Sequence, residues 1–169
     1  MLILDGTIGS NISAFLDRLN EESLPCRIML YQEWLATHSS CRDHHDDPIK
    51  GIIYIRVMPE IALKRMQPSS FTILRQAQDE RTSDESNLTL EQIQQVYQQK
   101  NEQFIENKNN PKELQDLPVL VLNGNIDFQT DFSQFYSHLF YIKRFLQQID
   151  EKKEMMLGIY KEKTYRRCC

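Results

Sequence analysis

Little in this chain points to a ready-made catalytic cradle. It has five glycines in 169 residues, at positions 6, 9, 51, 124 and 158, and none precedes a Lys-Ser or Lys-Thr pair. A phosphate loop of the form G-x-x-x-x-G-K-[ST] is therefore not among these residues. The run Gly6 to Asn11 (GTIGSN) has a superficial likeness to one, but Asn11 stands where the lysine belongs and the spacing is short. The four cysteines, Cys26, Cys41, Cys168 and Cys169, form no C-x-x-C pair. That spacing suits neither a zinc site nor a disulfide framework, so free thiols in a reducing compartment are expected. No apolar run approaches the roughly 20 residues of a membrane helix. The start, MLILDGTIGS, lacks the basic segment of a signal peptide, and a cytoplasmic location is the expectation. Net charge is -4 with a pI near 5.6, which leaves no basic footprint for a nucleic-acid polymer.

What is present is ordinary globular material. Hydrophobic residues make up 40% and charged residues 26%, and a single domain of this length buries roughly 68–70% of its unfolded surface. A domain over residues 1–150 is expected, with 151–169 a charged, fraying tail. The terminal Arg166-Arg167-Cys168-Cys169 has the look of a prenylation tail, but a frayed terminus is the simpler reading.

The pattern alternates. Met1–Leu4 is a short apolar run ending in an Asp-Gly turn. Ser10–Leu24 carries Ile12, Phe15, Leu16 and Leu19 at helical spacing, with Ser10 or Asn11 as N-cap. Arg27–Ala36 reads as a second helix, and 37–50 as a polar loop. Gly51–Met66 (GIIYIRVMPEIALKRM) is the most informative stretch: a β-branched strand, a Pro-Glu turn and a helix with Lys64 and Arg65. Continuous apolar character over Ile52–Val57 is expected of a strand covered on both faces, and Pro59 suits a first helical turn. Leu88–Ile105 reads as a helix capped by Thr89, with Ile93, Val96, Tyr97 and Phe104 inward. Residues 106–116 read as loop and Val119–Leu122 as a strand. Phe132–Ile149 is the longest amphipathic helix, with Phe135, Leu139, Ile142, Phe145, Leu146 and Ile149 inward. The order implies an α/β fold with a parallel sheet of about three strands and helical crossovers.

These segments, in this order, resemble the deoxynucleoside kinases. Gly51–Arg65 is similar to that family's strand and turn, "DGIIYLRATPE…L.R". Tyr31-Gln32-Glu33-Trp34 resembles its Tyr-Gln-[Asp/Glu]-Trp helix. Arg81–Leu90 resembles its lid loop, and Val119–Phe128 its last strand and "N-E-D-F" loop. The likeness runs from Met1 to about Ile149, and its specificity lies in the collinear set. It implies an incomplete P-loop kinase-like sheet and transfer of the γ-phosphoryl group of ATP, with Mg²⁺, to a deoxynucleoside 5′-hydroxyl in nucleotide salvage. Arg65 would bind donor phosphates and Arg81, with Arg75 as a rival, the transferring group, as guanidinium forks do. Asp5, Asn11 and Glu85 would contact the deoxynucleoside. Asn125, Ile126, Asp127 and Phe128 would form the adenine-side loop, with Ile126 replacing an acid.

The departures matter. Where the family reads "E-R-S…S-D-R", this chain has Asp5-Gly6-Thr7 and Ser10-Asn11-Ile12, so two arginines are replaced by Gly6 and Ile12. The family's phosphate-loop strand and general base have no counterpart here. In the family that strand lies between those matching Met1–Leu4 and Ile52–Val57, which implies two unpaired inner edges in its absence. The chain alone is expected to be inactive. Transfer would need the loop and base from an upstream exon, a different start codon or a partner chain. A non-catalytic remnant or a helix-mediated homodimer is the alternative. A thymidylate kinase-like reading is a third, disfavoured by the Tyr-Gln-Glu-Trp helix. His44-His45-Asp46-Asp47 reads as a solvated loop rather than a metal site, and the glutamine-rich run Gln92–Gln103 as a solvated helix face.

Overall fold

The computed structural model describes residues 1–40, 47–67, 88–128 and 130–165. Four strands, β1 (Leu2–Gly6), β2 (Ile28–Leu30), β3 (Gly51–Arg56) and β4 (Val119–Asn123), form one parallel sheet in the order β2-β1-β3-β4. Among the described residues five helices connect or flank them: α1 (Ile12–Asn20), α2 (Tyr31–Ser40), α3 (Pro59–Met66), α4 (Leu90–Phe104) and α5 (Phe132–Tyr165). A 3₁₀ turn at Lys112–Leu114 lies within the stretch expected to be loop. Among the described residues no helix is long and apolar enough to cross a membrane.

Side-chain alternation along the strands divides the core in two. On one face Leu2, Leu4, Ile53, Ile55 and Leu122 pack against Phe15, Leu16 and Leu19 of α1 and the inner stripe of α5. All six residues expected on that stripe, from Phe135 to Ile149, are buried. On the other face Ile3, Ile52 and Tyr54 meet Tyr31 and Trp34 of α2, Phe104 of α4 and Leu114. Each such fully buried side chain contributes about 1.5–3 kcal/mol. β1 and β3 are covered on both faces, which is why their sequences are almost unbroken apolar runs.

Two expectations are corrected. Arg27–Ala36 is not one helix: Ile28–Leu30 pairs with β1 (Leu2↔Ile28, Leu4↔Leu30), and the helix begins at Tyr31. The sheet therefore has four strands rather than about three. The inner edges of β1 and β3 are also not left open. They pair directly with each other over five residues, from Leu2↔Gly51 to Gly6↔Ile55. Leu4 then lies beside Ile53 and Ile3 beside Ile52, so both layers continue across the join.

The helix starts agree in part with expectation. Pro59 opens α3. Thr89 caps α4 in a capping box: its hydroxyl accepts from the Gln92 N–H at 3.3 Å, and the Gln92 side chain accepts from the Thr89 N–H at 2.8 Å. Asn11 precedes α1 in the left-handed region (φ 52°) and makes no side-chain cap.

Candidate functional site

The chain leaves β1 toward β2 on one side, then crosses to β3 on the other. The carboxyl ends of β1 and β3 thus flank a topological switch point, where open parallel sheets bind ligands. Four segments meet there: Asp5 and the following turn, the Val57-Met58 end of β3, α3 with Arg65, and the Asn123–Asp127 end of β4.

Asp5 is almost fully buried. Lys100 of α4 reaches both its carboxylate oxygens, at 2.7 and 2.8 Å, and the Gly6 N–H donates to Oδ1 at 2.8 Å. A buried carboxylate needs such a partner, because the charge would otherwise lose its hydration uncompensated. Beside it, Tyr54 donates its hydroxyl to Asn101 at 2.8 Å. Burial pushes the Tyr54 phenol well above its usual range, and the nearby Tyr97 and Asp5 add to the shift.

Thr7 fastens β1 to β3 one step beyond the strand ladder. Its N–H donates to the Ile55 carbonyl, and its hydroxyl accepts from the Val57 N–H at 2.8 Å and donates to the Val57 carbonyl at 3.2 Å. The turn then passes Gly9, whose φ is 78°. A Cβ at Gly9 would stand 3.0 Å from the Ala62 Cα in α3, so glycine is required for both conformation and approach.

Arg65 closes this end. Its Nη1 donates to the Gly9 carbonyl at 2.8 Å, and its Nη2 donates to the carbonyls of Gly124 (2.7 Å) and Asn125 (2.8 Å). One guanidinium thus ties the β1–α1 turn and the end of β4 to α3. The Asn125 side chain adds a fourth tie by accepting from the Met58 N–H at 2.8 Å.

Other expected residues fall as follows. Arg81, Glu85 and the rival Arg75 lie outside the described residues. Asn11 is exposed at the head of α1, and Ile126 is half exposed. The Asp127 carbonyl accepts from Thr130 and Asp131 at the approach to α5. Phe128 is a core residue, edge-on to Phe15 with ring centroids 5.2 Å apart. Asp5, Arg65 and Asn125 share one end of the sheet. Of the His44–Asp47 run, only Asp47 is described, and it is exposed; no metal-holding cluster of His, Cys, Asp and Glu occurs among the described residues.

Three participants escape sequence reading: Thr7, Lys100 and His138. His138, buried on α5, lies with Nε2 3.0 Å from the Asn123 carbonyl and its ring edge-on to Phe15. Burial lowers its pKa, so it is held neutral. Hollows among the described residues lie elsewhere. One of about 790 Å³ lies between Pro118, Lys50 and the Phe145–Lys152 part of α5, at the amino end of the sheet. One of about 490 Å³ lies on the outer face of α5.

Compared with known proteins, the chain matches no family model and no curated relative.

Proposed function

We propose that this chain is a deoxynucleoside kinase-like module, with an incomplete P-loop kinase-like sheet, that binds a deoxynucleoside at the carboxyl ends of β1 and β3. These residues alone do not transfer phosphate. The observation that carries the reading is the convergence of Asp5, Arg65 and Asn125 at the switch point. The collinear motifs assign those three residues to nucleoside and nucleotide contacts, and this is the end of a parallel sheet where ligands bind.

The second half of the proposal follows from charge. Phosphoryl transfer is catalysed almost wholly by positioning and electrostatic stabilisation. Here Lys100 already neutralises the Asp5 carboxylate, and Arg65 already donates to three backbone carbonyls. No glycine loop in the sequence offers backbone N–H groups and a lysine to a triphosphate. ATP and Mg²⁺ are the co-reactants the resemblance implies, and using them would require a phosphate loop these residues do not contain.

The test is a coupled assay of the purified chain with ATP, Mg²⁺ and each of the four deoxynucleosides, with thymidylate as a further acceptor. The expected result is no ADP formation above background, together with a rise in melting temperature on adding at least one deoxynucleoside. Turnover would refute the expected inactivity. Absence of any deoxynucleoside effect would overturn the binding site and leave the non-catalytic remnant.

A further inference from the structure

The amino end of the sheet holds a hollow that the switch-point site does not use. It measures about 790 Å³, within the roughly 300–1,000 Å³ of small-molecule sites. Its walls come from three parts of the chain: Lys50 ahead of β3, Asp116 and Pro118 ahead of β4, and one face of α5. Phe145, Gln148, Ile149 and Lys152 stand at i, i+3, i+4 and i+7 on that face. Phe145 and Ile149 are buried, and with Pro118 they make an apolar floor. The floor is closely fitted. A Cβ at Gly51 would stand 3.0 Å from both the Phe145 ring and the Pro118 carbonyl, so only glycine lets ring and strands meet there. Asp116 holds a left-handed backbone (φ 61°), costly for a residue with a side chain, and its carboxylate accepts from Asn107 at 3.2 Å. The shape of the hollow is thus set before any ligand arrives.

We propose that this hollow binds a small apolar carboxylate, its hydrocarbon body on Phe145, Ile149 and Pro118 and its head group at Lys152 and Lys50. Charge selects the head group. Glu151 accepts from Gln147 at 2.9 Å, and Gln147 lies off the lining. Lys50 spends one N–H on Asp150 at 3.2 Å, and an ammonium carries three. Lys152 makes no ion pair among the described residues. With Glu151 turned away, the lining presents two ammonium groups against the single carboxylate of Asp116. The excess is one positive charge, which a carboxylate matches and a phosphate dianion exceeds. An apolar floor beside that rim suits a body and a head of opposite character. The inference does not depend on the nucleoside-binding reading, since the two sites lie at opposite ends of the sheet.

Ligand-detected NMR and melting-temperature shifts test it, with octanoate, 3-phenylpropanoate and octylammonium as probes. The expected result is saturable binding of at least one carboxylate and weaker binding of octylammonium. Lys152→Met weakens carboxylate binding about threefold and Lys152→Glu about tenfold, the scale of a solvent-exposed charge. Asp150→Asn frees Lys50 and tightens binding. Gln148→Trp, at an exposed position, fills the mouth and abolishes binding while the circular dichroism stays that of the wild type. A wild-type chain that neither carboxylate saturates would overturn the proposal. So would octylammonium binding as tightly as octanoate, which would make Asp116 the dominant charge, or carboxylate binding indifferent to both Lys152→Glu and Gln148→Trp.

Discussion

At the carboxyl end of the sheet Lys100 meets Asp5 at 2.7 Å, with the carboxylate side chain 3% exposed. At the amino end Lys50 meets Asp150 at 3.2 Å, with the carboxylate 51% exposed. The chemistry is the same and the surroundings are not. Water solvates the Lys50–Asp150 pair, so its attraction is screened and largely offset by the entropy of holding two side chains. Asp5 has given up its water, and Lys100 with the Gly6 N–H has replaced it. The rest of the carboxyl end is fastened in the same manner, through Thr7, Arg65 and Asn125. The amino end has the N-terminal amine on the Pro48 carbonyl and an open hollow beside it. Polar groups thus act at one end as structure and at the other as surface.

Breaking the Lys100–Asp5 pair should have the largest effect. Lys100→Met strands a buried carboxylate, which typically costs about 3–5 kcal/mol. The Gly6 N–H remains, so the expectation is near the lower figure, read as a lower urea midpoint at unchanged slope. Arg65→Met comes next. It removes three charge-assisted bonds to carbonyls that are only partly buried, and a loss of about 2 kcal/mol is expected. Arg65→Lys should recover little of it, since an ammonium does not reproduce the fork that spans Gly9 and Gly124.

His138 sharpens the comparison through pH. Its folded pKa is lowered by burial, so the unfolded chain binds its proton first as pH falls through about 6.5. Stability should therefore drop below that pH, by at most about 1.4 kcal/mol per pH unit from this one group. His138→Gln should flatten that slope in urea titrations between pH 5 and 7, and an unchanged slope would place the effect elsewhere. The smallest change is expected from Lys50→Met, within about 0–1 kcal/mol and vanishing in high salt. A loss equal to that of Lys100→Met would dissolve the distinction between the two ends.

Much of the frame was legible in the sequence because its signals are periodic. The β-branched run before Pro59 became β3, Thr89 became a cap, and the inner stripe of α5 is buried at every named position. β2 was hidden for a physical reason. Three apolar residues run straight into a helix, so Ile28, Tyr31 and Leu35 mimic one helical stripe across a boundary. The direct pairing of β1 with β3 was hidden because resemblance supplies a strand order, whereas register follows from which apolar faces can be continued. At the candidate site Asp5, Arg65 and Asn125 could be named, but not what occupies them. Lys100 is 95 positions from Asp5, on a helix face rich in glutamine. The available signal was that it is the only cation in Leu90–Phe104, on a helix otherwise rich in amides.

Gly9 has a kinetic consequence. With its backbone against Ala62, the turn after β1 and the helix after β3 stand at contact distance, and the Arg65 fork bolts them together. On that side the turn is covered by α3, and the Thr7 and Ser10 N–H groups are already spent on the Ile55 and Thr7 carbonyls. A side chain at position 9 would therefore wedge the two segments apart, and Gly9→Ala should hasten unfolding, read as a steeper rise of the unfolding rate in stopped flow.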